Sequence, residues 1–333
     1  METVTIAGQG LAGTLLAWAL ERAGREFLIY DPGHEESASR VGAGLVNPVT
    51  GERWTSAPGW AEKAAAAREV YRGMERAWGV SILSDLKVRR EWRSEAEAAL
   101  VRAKVGRGEL APWVTAGGLE AGAAWIEGAW RVDLPILIGA GRERWRGQGR
   151  LREEELGRAG GTGMGPVVWC VGARETRVPE LRAVGGETLE LQVRLKPGEV
   201  RHDGVWILPV AEGRAWAGAS FVREEAEREA RREELRASVA RQLPDVTWAE
   251  AAVLAGRRMT APDRVPRSGW LARGEWGEQG GRGERGERMA RREGVFNGLG
   301  SKGALLGPAL AAEWVTRLAG AGAGGAGNPI VNQ

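Results

Sequence analysis

The chain opens on an apolar run, Val4-Thr5-Ile6-Ala7, which is too short for a helix and reads as a buried strand. Gly8-Gln9-Gly10-Leu11-Ala12-Gly13 then breaks the pattern. From Thr14 to Arg25 apolar residues return at helical spacing, with Leu15, Leu16, Ala19, Leu20 and Ala23 on or near one face. Glu26 to Tyr30 predicts a second strand, which ends on Asp31. Further along, the pattern predicts a helix over 60–78, a strand over 85–92 and a helix opened by the capping box Ser94-Glu-Ala-Glu97. A strand over 122–131, a helix begun by 132–138, a strand over 149–155 and a buried strand over 167–170 follow. Residues 185–194 alternate like a strand, and 204–210 with 215–221 flank Ala211-Glu-Gly-Arg214 as a hairpin. A long charged helix over 223–243 and a last helix over 304–318 complete the pattern.

The first unit carries chemistry. Its glycines fill the G-x-G-x-x-G spacing between strand and helix, and Asp31 stands 18 residues after Gly13, against about 20 in dinucleotide sites. Gly8 permits the tight turn, Gly10 lets a pyrophosphate approach the backbone, and Gly13 lets the helix pack close to the strand. Leu11 and Ala12 lie between the glycines as further candidate cofactor contacts, and the free N–H groups and positive dipole end of the helix that follows hold phosphate. Asp31 accepts from a ribose diol. The spacing alone fits FAD or NAD.

Composition narrows the remaining chemistry. The 333 residues suffice for two domains. The 47 basic and 44 acidic residues leave a net charge of +3, a slim excess that argues against a nucleic-acid partner. One cysteine, Cys170, excludes an internal disulfide, and with only His34 and His202 the chain is poor in metal ligands, so no metal site is expected. Cys170 lies in an apolar run and reads as a core thiol. No run of about 18 apolar residues predicts a membrane span, and without a recognisable leader the expected location is cytoplasmic. Residues 37–51 are crowded with small side chains, which let a backbone lie against a large planar ligand.

With these residues in view, the chain resembles the FAD-dependent D-amino-acid oxidase and glycine oxidase superfamily, especially its short bacterial members. The likeness rests on the glycine fingerprint followed by Ser39-Arg-Val-Gly-Ala-Gly-Leu45 and Asn47-Pro48, on Gly218-Ala219-Ser220, and on Asn297-Gly-Leu-Gly-Ser-Lys-Gly303. It implies an α/β fold: a Rossmann-like FAD-binding domain and an α+β substrate domain on an antiparallel sheet. The implied FAD-binding segments are 1–52, 132–180 and 256–321, with 53–131 and 181–255 forming the substrate domain. Residues 274–293 read as a flexible insertion and 322–333 as a disordered tail.

By the same resemblance, Gly42, Ala43, Gly44 and Leu45 line the isoalloxazine, and Ser39 and Arg40 lie near the phosphates or ribityl chain. Gly172 and Ala173 pass beside the adenosine or pyrophosphate. The turn carrying Gly298, Gly300, Ser301, Lys302 and Gly303 feeds a helix whose N-terminus, with about half a positive charge, suits the anionic reduced flavin, and Lys302 adds a full charge. Gly256-Arg-Arg-Met-Thr-Ala-Pro-Asp-Arg-Val-Pro266 matches a substrate motif in which Arg258 grips a carboxylate, although Met259 replaces a proline and Arg257 competes for the role. The implied activity is hydride transfer from a small amine or amino acid to flavin N5, with O2 or another acceptor reoxidising the flavin. Flavin-dependent oxidation of a modified tRNA base and a flavin-binding module without turnover are the alternatives. Tyr71 is the one tyrosine placed to serve as a lid.

Overall fold

The computed structural model describes residues 2–33, 37–156, 165–271 and 292–320. The first unit forms in the predicted order, strand β1 (Val4–Ala7), helix α1 (Leu11–Arg22) and strand β2 (Phe27–Tyr30), with the helix three residues earlier at each end than its pattern predicts. A single-turn helix, α2 (Ala38–Val41), and the short strand β3 (Leu45–Val46) follow. Helix α3 (Trp60–Trp78), strand β4 (Leu83–Glu91) and helix α4 (Glu95–Gly106) come next. Strands β5 (Leu119–Glu120) and β6 (Ala123–Val132) lead into helix α5 (Leu134–Gly147) and strands β7 (Leu151–Arg152) and β8 (Val167–Trp169). Strands β9 (Arg182–Gln192), β10 (Glu199–His202), β11 (Trp206–Ala211) and β12 (Arg214–Gly218) precede helix α6 (Arg228–Gln242). Strands β13 (Ala249–Thr260), β14 (Arg267–Trp270) and β15 (Glu293–Asn297) and helix α7 (Gly303–Gly320) complete the order.

Local chemistry sets several of these ends. Ser94 Oγ accepts from Glu97 N at 3.2 Å to start α4, but the Glu97 carboxylate accepts from Arg93 N at 2.9 Å and Trp54 Nε1 at 2.6 Å, completing only half of the expected box. Asp133 Oδ1 accepts from Ile136 N at 3.2 Å, and Pro135 in the first turn has no N–H to leave unsatisfied. The charged helix begins at Arg228, later than predicted, because Glu225–Glu227 forms a separate 3-10 turn.

Two sheets organise the chain. The first runs β14-β15-β8-β1-β2-β7, parallel except for the β14–β15 pair. Parallel strands need covering on both faces. Leu15, Leu16 and Leu20 of α1, Tyr71 and Met74 of α3, Trp145 of α5 and Trp314 of α7 form one core with Val4, Ile6, Ile29 and Phe296. Val167, Trp169, Val295 and Ala7 meet Val178, Leu181 and Met259 in another cluster.

The second sheet runs β13-β9-β12-β11-β10-β4-β6-β3, with β5 beside β6. It is antiparallel apart from the β10–β4 pair. Leu189, Leu191, Ile207, Ala215 and Ala217 pack against Leu235 and Val239 of α6. Side chains alternate along a strand, so the intervening residues take the other face. There Val88, Val200 and Leu208 form a core with Trp54, and Ala43, Leu45 and Trp206 pack against it.

Three expectations change or fall away. Residues 274–291 of the expected insertion and the tail 322–333 lie outside the described residues, whereas Glu293 belongs to β15 and accepts from Trp169 Nε1 at 2.8 Å. The substrate motif at 256–266 begins inside a 12-residue strand, β13, which the hydrophobic pattern does not announce. Tyr71 is fully buried and donates to the Ala304 carbonyl at 2.9 Å, which makes it a core side chain tying α3 to α7 and not a lid.

Candidate functional site

The site starts at the end of β1. Gly8 has φ +98°, and a Cβ there would stand 2.5 Å from the Cys170 carbonyl oxygen; a Cβ on Gly13 would stand 1.9 Å from the Gly8 carbonyl oxygen. No other side chain fits at either position. Gly10 takes the N-cap of α1 with no side chain to satisfy the helix. Leu11 N donates to Ser39 Oγ at 3.0 Å, and the buried N–H groups of Ala12 and Gly13 have no partner among the described residues. Free donors at a helix start are suited to donating hydrogen bonds to an anion.

At the end of β2, the Asp31 carboxylate accepts from Gln9 N at 2.6 Å and from Gly33 N at 2.7 Å. Arg142 of α5 donates to Asp31 Oδ1 at 3.0 Å and to Gln9 Oε1 at 3.1 Å. Neither Gln9 nor Arg142 is marked by the sequence. Their role appears only when α5 packs beside β2, and no local motif could have revealed it. Arg40 is exposed, and its guanidinium lies 3.8 Å from a Cβ placed on Gly33, at the Asp31 end of the turn.

The predicted segments meet around this turn. A Cβ on Gly10 would be 3.2 Å from Ser39 Oγ, and one on Gly303 would be 3.0 Å from Leu11 Cδ2. Gly42 to Leu45 runs on from α2: Gly44 O accepts from Val132 N at 3.0 Å, Arg131 Nε donates to Ala43 O at 3.1 Å, and Leu45 pairs with Arg131. Gly172 and Ala173 form a 3-10 turn after β8, and Asn297 Nδ2 donates to Gly172 O at 2.9 Å. Gly298 N is held by Asn297 Oδ1 at 2.8 Å, and Gly300 N donates to Met259 O at 3.3 Å. Ser301 and Lys302 are exposed.

The last contact brings in β13. Its register places Arg258, Gly256 and Leu254 opposite Val184, Gly186 and Thr188, on the face that also carries Gly218 and Trp206. A Cβ on Gly256 would meet Val41 Cγ2 at 2.4 Å and Ala38 Cα at 3.3 Å, so this face lies under the Ser37–Leu45 segment. Arg258 is half-buried, burial lowers its pKa, and no acid pairs with it among the described residues. The Phe221 ring lies 4.7 Å from its guanidinium carbon. Arg257 projects to the opposite face and is exposed. There Glu225, held below the ordinary carboxylate range first by its hydrogen bond from Arg228, also feels the Arg257 charge.

The same face holds a second polar group farther along the sheet. His202 pairs with Arg90 across β10 and β4, and its Nδ1 accepts from Gly204 N at 3.2 Å. Burial, followed by the Arg90 charge, pushes its pKa down to about 4. Arg90 lies over the Trp54 ring at 4.1 Å and pairs with Glu97 at 3.2 Å. The Cys170 thiol is buried, and its pKa is pushed up by burial and then by Glu175. Among the described residues no group of three or more His, Cys, Asp or Glu could hold a metal ion, and no helix is long and apolar enough to cross a membrane. His34 lies outside the described residues.

No family model and no curated protein matches the chain by sequence. Solved structures do match. Glycine oxidase from Geobacillus kaustophilus superposes with a TM-score of 0.71 at 19% identity, covering 100% of both chains. Iminodiacetate oxidase from Chelativorans sp. BNC1 gives 0.68 at 20% identity, over 98% of this chain and 96% of that one. L-α-glycerophosphate oxidase from Mycoplasma pneumoniae, solved dithionite-reduced with FAD bound, gives 0.61 at 13% identity, over 96% and 95%. The likeness read from short motifs therefore extends to the whole chain: it has the mixed α/β, Rossmann-like fold of these oxidases.

Proposed function

We propose that the protein is an FAD-dependent oxidoreductase that oxidises a small amine or amino acid. The observation that carries the reading is Arg258, a half-buried guanidinium with no acid partner among the described residues, on the sheet face that lies under the Ser37–Leu45 segment. Leaving a cation partly desolvated and unpaired is costly, and a substrate carboxylate removes that cost through a two-pronged hydrogen bond. Met259 and Thr260, the next residues of β13, touch the Gly298–Gly303 turn, so the carboxylate grip and the flavin-facing turn are neighbours on one backbone.

The residues present fit FAD. The unpartnered N–H groups of Ala12 and Gly13 would take the pyrophosphate, with Gly10 leaving the approach clear. Asp31 would accept from the adenosine ribose, and Gly172 and Ala173 would pass beside that half. Gly42, Ala43, Gly44 and Leu45 would lie along the ring system, with Gly298, Gly300, Ser301, Lys302 and Gly303 at its other edge. When bound, the flavin supplies the hydride acceptor for the carbon–hydrogen bond beside the substrate nitrogen.

The protein's own part is orientation and charge. Arg258 fixes one end of the substrate, which converts an encounter into a held geometry. The start of α7 and Lys302 place positive potential beside the turn. In this reading the first sheet and its helices bind the cofactor, the second sheet with Arg258 faces the substrate, and O2 or another acceptor completes turnover. Solved neighbours named as oxidases of glycine and iminodiacetate support the substrate class.

The test has two stages. The purified protein should show a flavin absorbance spectrum, on its own or after incubation with FAD. Anaerobic mixing with a panel of amino acids and amines should then bleach it. A colourless protein after reconstitution removes the cofactor assignment, and bleaching by hydroxy acids alone removes the substrate class.

A further inference from the structure

The segment after β12 holds an exposed aromatic ring on a fixed backbone. Phe221 is 54% exposed, yet its neighbours are not free to move. Ser220 N donates to Glu187 O at 3.0 Å, and Ser220 Oγ accepts from Glu187 N at 2.8 Å. Val222 exchanges two backbone hydrogen bonds with Gly185, at 2.9 and 3.0 Å. The close approach depends on glycine, since a Cβ on Gly186 would stand 2.5 Å from the Ser220 carbonyl oxygen. The paired glycines of β9 thus let residues 220–222 run close along that strand, and the Phe221 ring lies 4.7 Å from the guanidinium carbon of Arg258 on β13.

A single exposed aromatic ring is ordinary on a protein surface, but covering it with an apolar group is favourable. A guanidinium without an acid is unfavourable unless an anion meets it. Here the two stand side by side. We propose that Phe221 is the positioning residue of the carboxylate subsite, which therefore takes small monocarboxylates bearing an apolar substituent. The ring face attracts one face of the guanidinium and leaves its edge of N–H donors for the carboxylate. The exposed remainder of the ring is an apolar wall for the ligand's substituent. This inference rests on the proposed carboxylate role of Arg258.

The test is binding of phenylacetate to the FAD-loaded protein by calorimetry, with phenylacetamide and acetate as comparisons, alongside KM and kcat for an apolar amino-acid substrate. Phe221→Ala should weaken phenylacetate binding about fivefold to thirtyfold, leave acetate less affected, and raise KM with kcat within about twofold. Phe221→Tyr should restore both, because it keeps the ring face. Wild-type affinity in Phe221→Ala, or failure of Phe221→Tyr to rescue, overturns the proposal. So does a fall in kcat with KM unchanged. Arg258→Met separates the two readings. If it leaves phenylacetate binding intact, the carboxylate role of Arg258 fails, whatever Phe221 does.

Discussion

Arg142 and Asp31, 111 residues apart in the chain, are joined by a 3.0 Å ion pair in which both side chains are close to nine-tenths buried. Arg142 also donates to the Asp31 carbonyl at 2.9 Å and to Glu153 at 2.9 Å. The acid at the end of β2 is thereby held against the glycine turn. Removing the guanidinium leaves a buried carboxylate short of its countercharge, a loss of about 3 kcal/mol. Arg142→Ala should weaken FAD binding about tenfold in a flavin-fluorescence titration and lower the melting temperature. Arg142→Lys, which keeps the charge but loses the fork, should fall between the two.

Gly13→Ala tests the closeness of strand and helix. Its methyl group would collide with the Gly8 carbonyl oxygen, an overpacking cost of about 1–3 kcal/mol. The variant should lose FAD binding and melt early. Gly147→Ala is the control, because no atom lies within 4 Å of a Cβ there and its conformation suits any residue. It should bind FAD as the wild type does.

Adjacent arginines on opposite faces of β13 give a sharp pair of substitutions. Arg258→Met should raise KM about 100-fold, the ~3 kcal/mol expected of a charge-assisted pair. Arg257→Met should change steady-state kinetics by less than about threefold. Equal losses from the two would show that charge near the site, and not a held carboxylate, drives binding.

The depressed pKa of His202 makes a prediction about acid stability. Unfolded histidine titrates near 6.5, and His202 in the fold near 4. Between those values the unfolded chain binds more protons, so the contribution of His202 is complete above about pH 6.5 and is lost as pH falls toward 4. Chemical denaturation at pH 6.5 and 5 should differ by about 1–2 kcal/mol from this group. His202→Gln should shrink the difference, and an unchanged difference would mean that other groups carry it.

Elements with a strong local signal could be read from the chain. The apolar runs and glycine turn of the β1–α1–β2 unit, the one-faced helix over Trp60–Trp78 and the turn of the β11–β12 hairpin each show theirs locally. β13 could not, because Ala249 to Ala255 is small and mostly exposed and its pairing with β9 is set by tertiary contact. Site residues divide in the same way. Gly8, Gly10, Gly13 and Asp31 announce themselves by spacing, whereas Gln9, Arg142 and Phe221 acquire meaning only from partners distant in the chain. The Arg257 or Arg258 ambiguity is a question of strand parity, which no motif records.

The order of strands in the first sheet bears on how the protein is made. The ribosome releases the glycine turn before β8 and α7, but β1 lies between β2 and β8, and α1 packs against α7. The unit formed by β1, α1 and β2 must wait, with Leu15 and Leu16 uncovered, until α7 has emerged. A coenzyme bound at that turn, as proposed, would therefore find its site complete only once α7 has folded back.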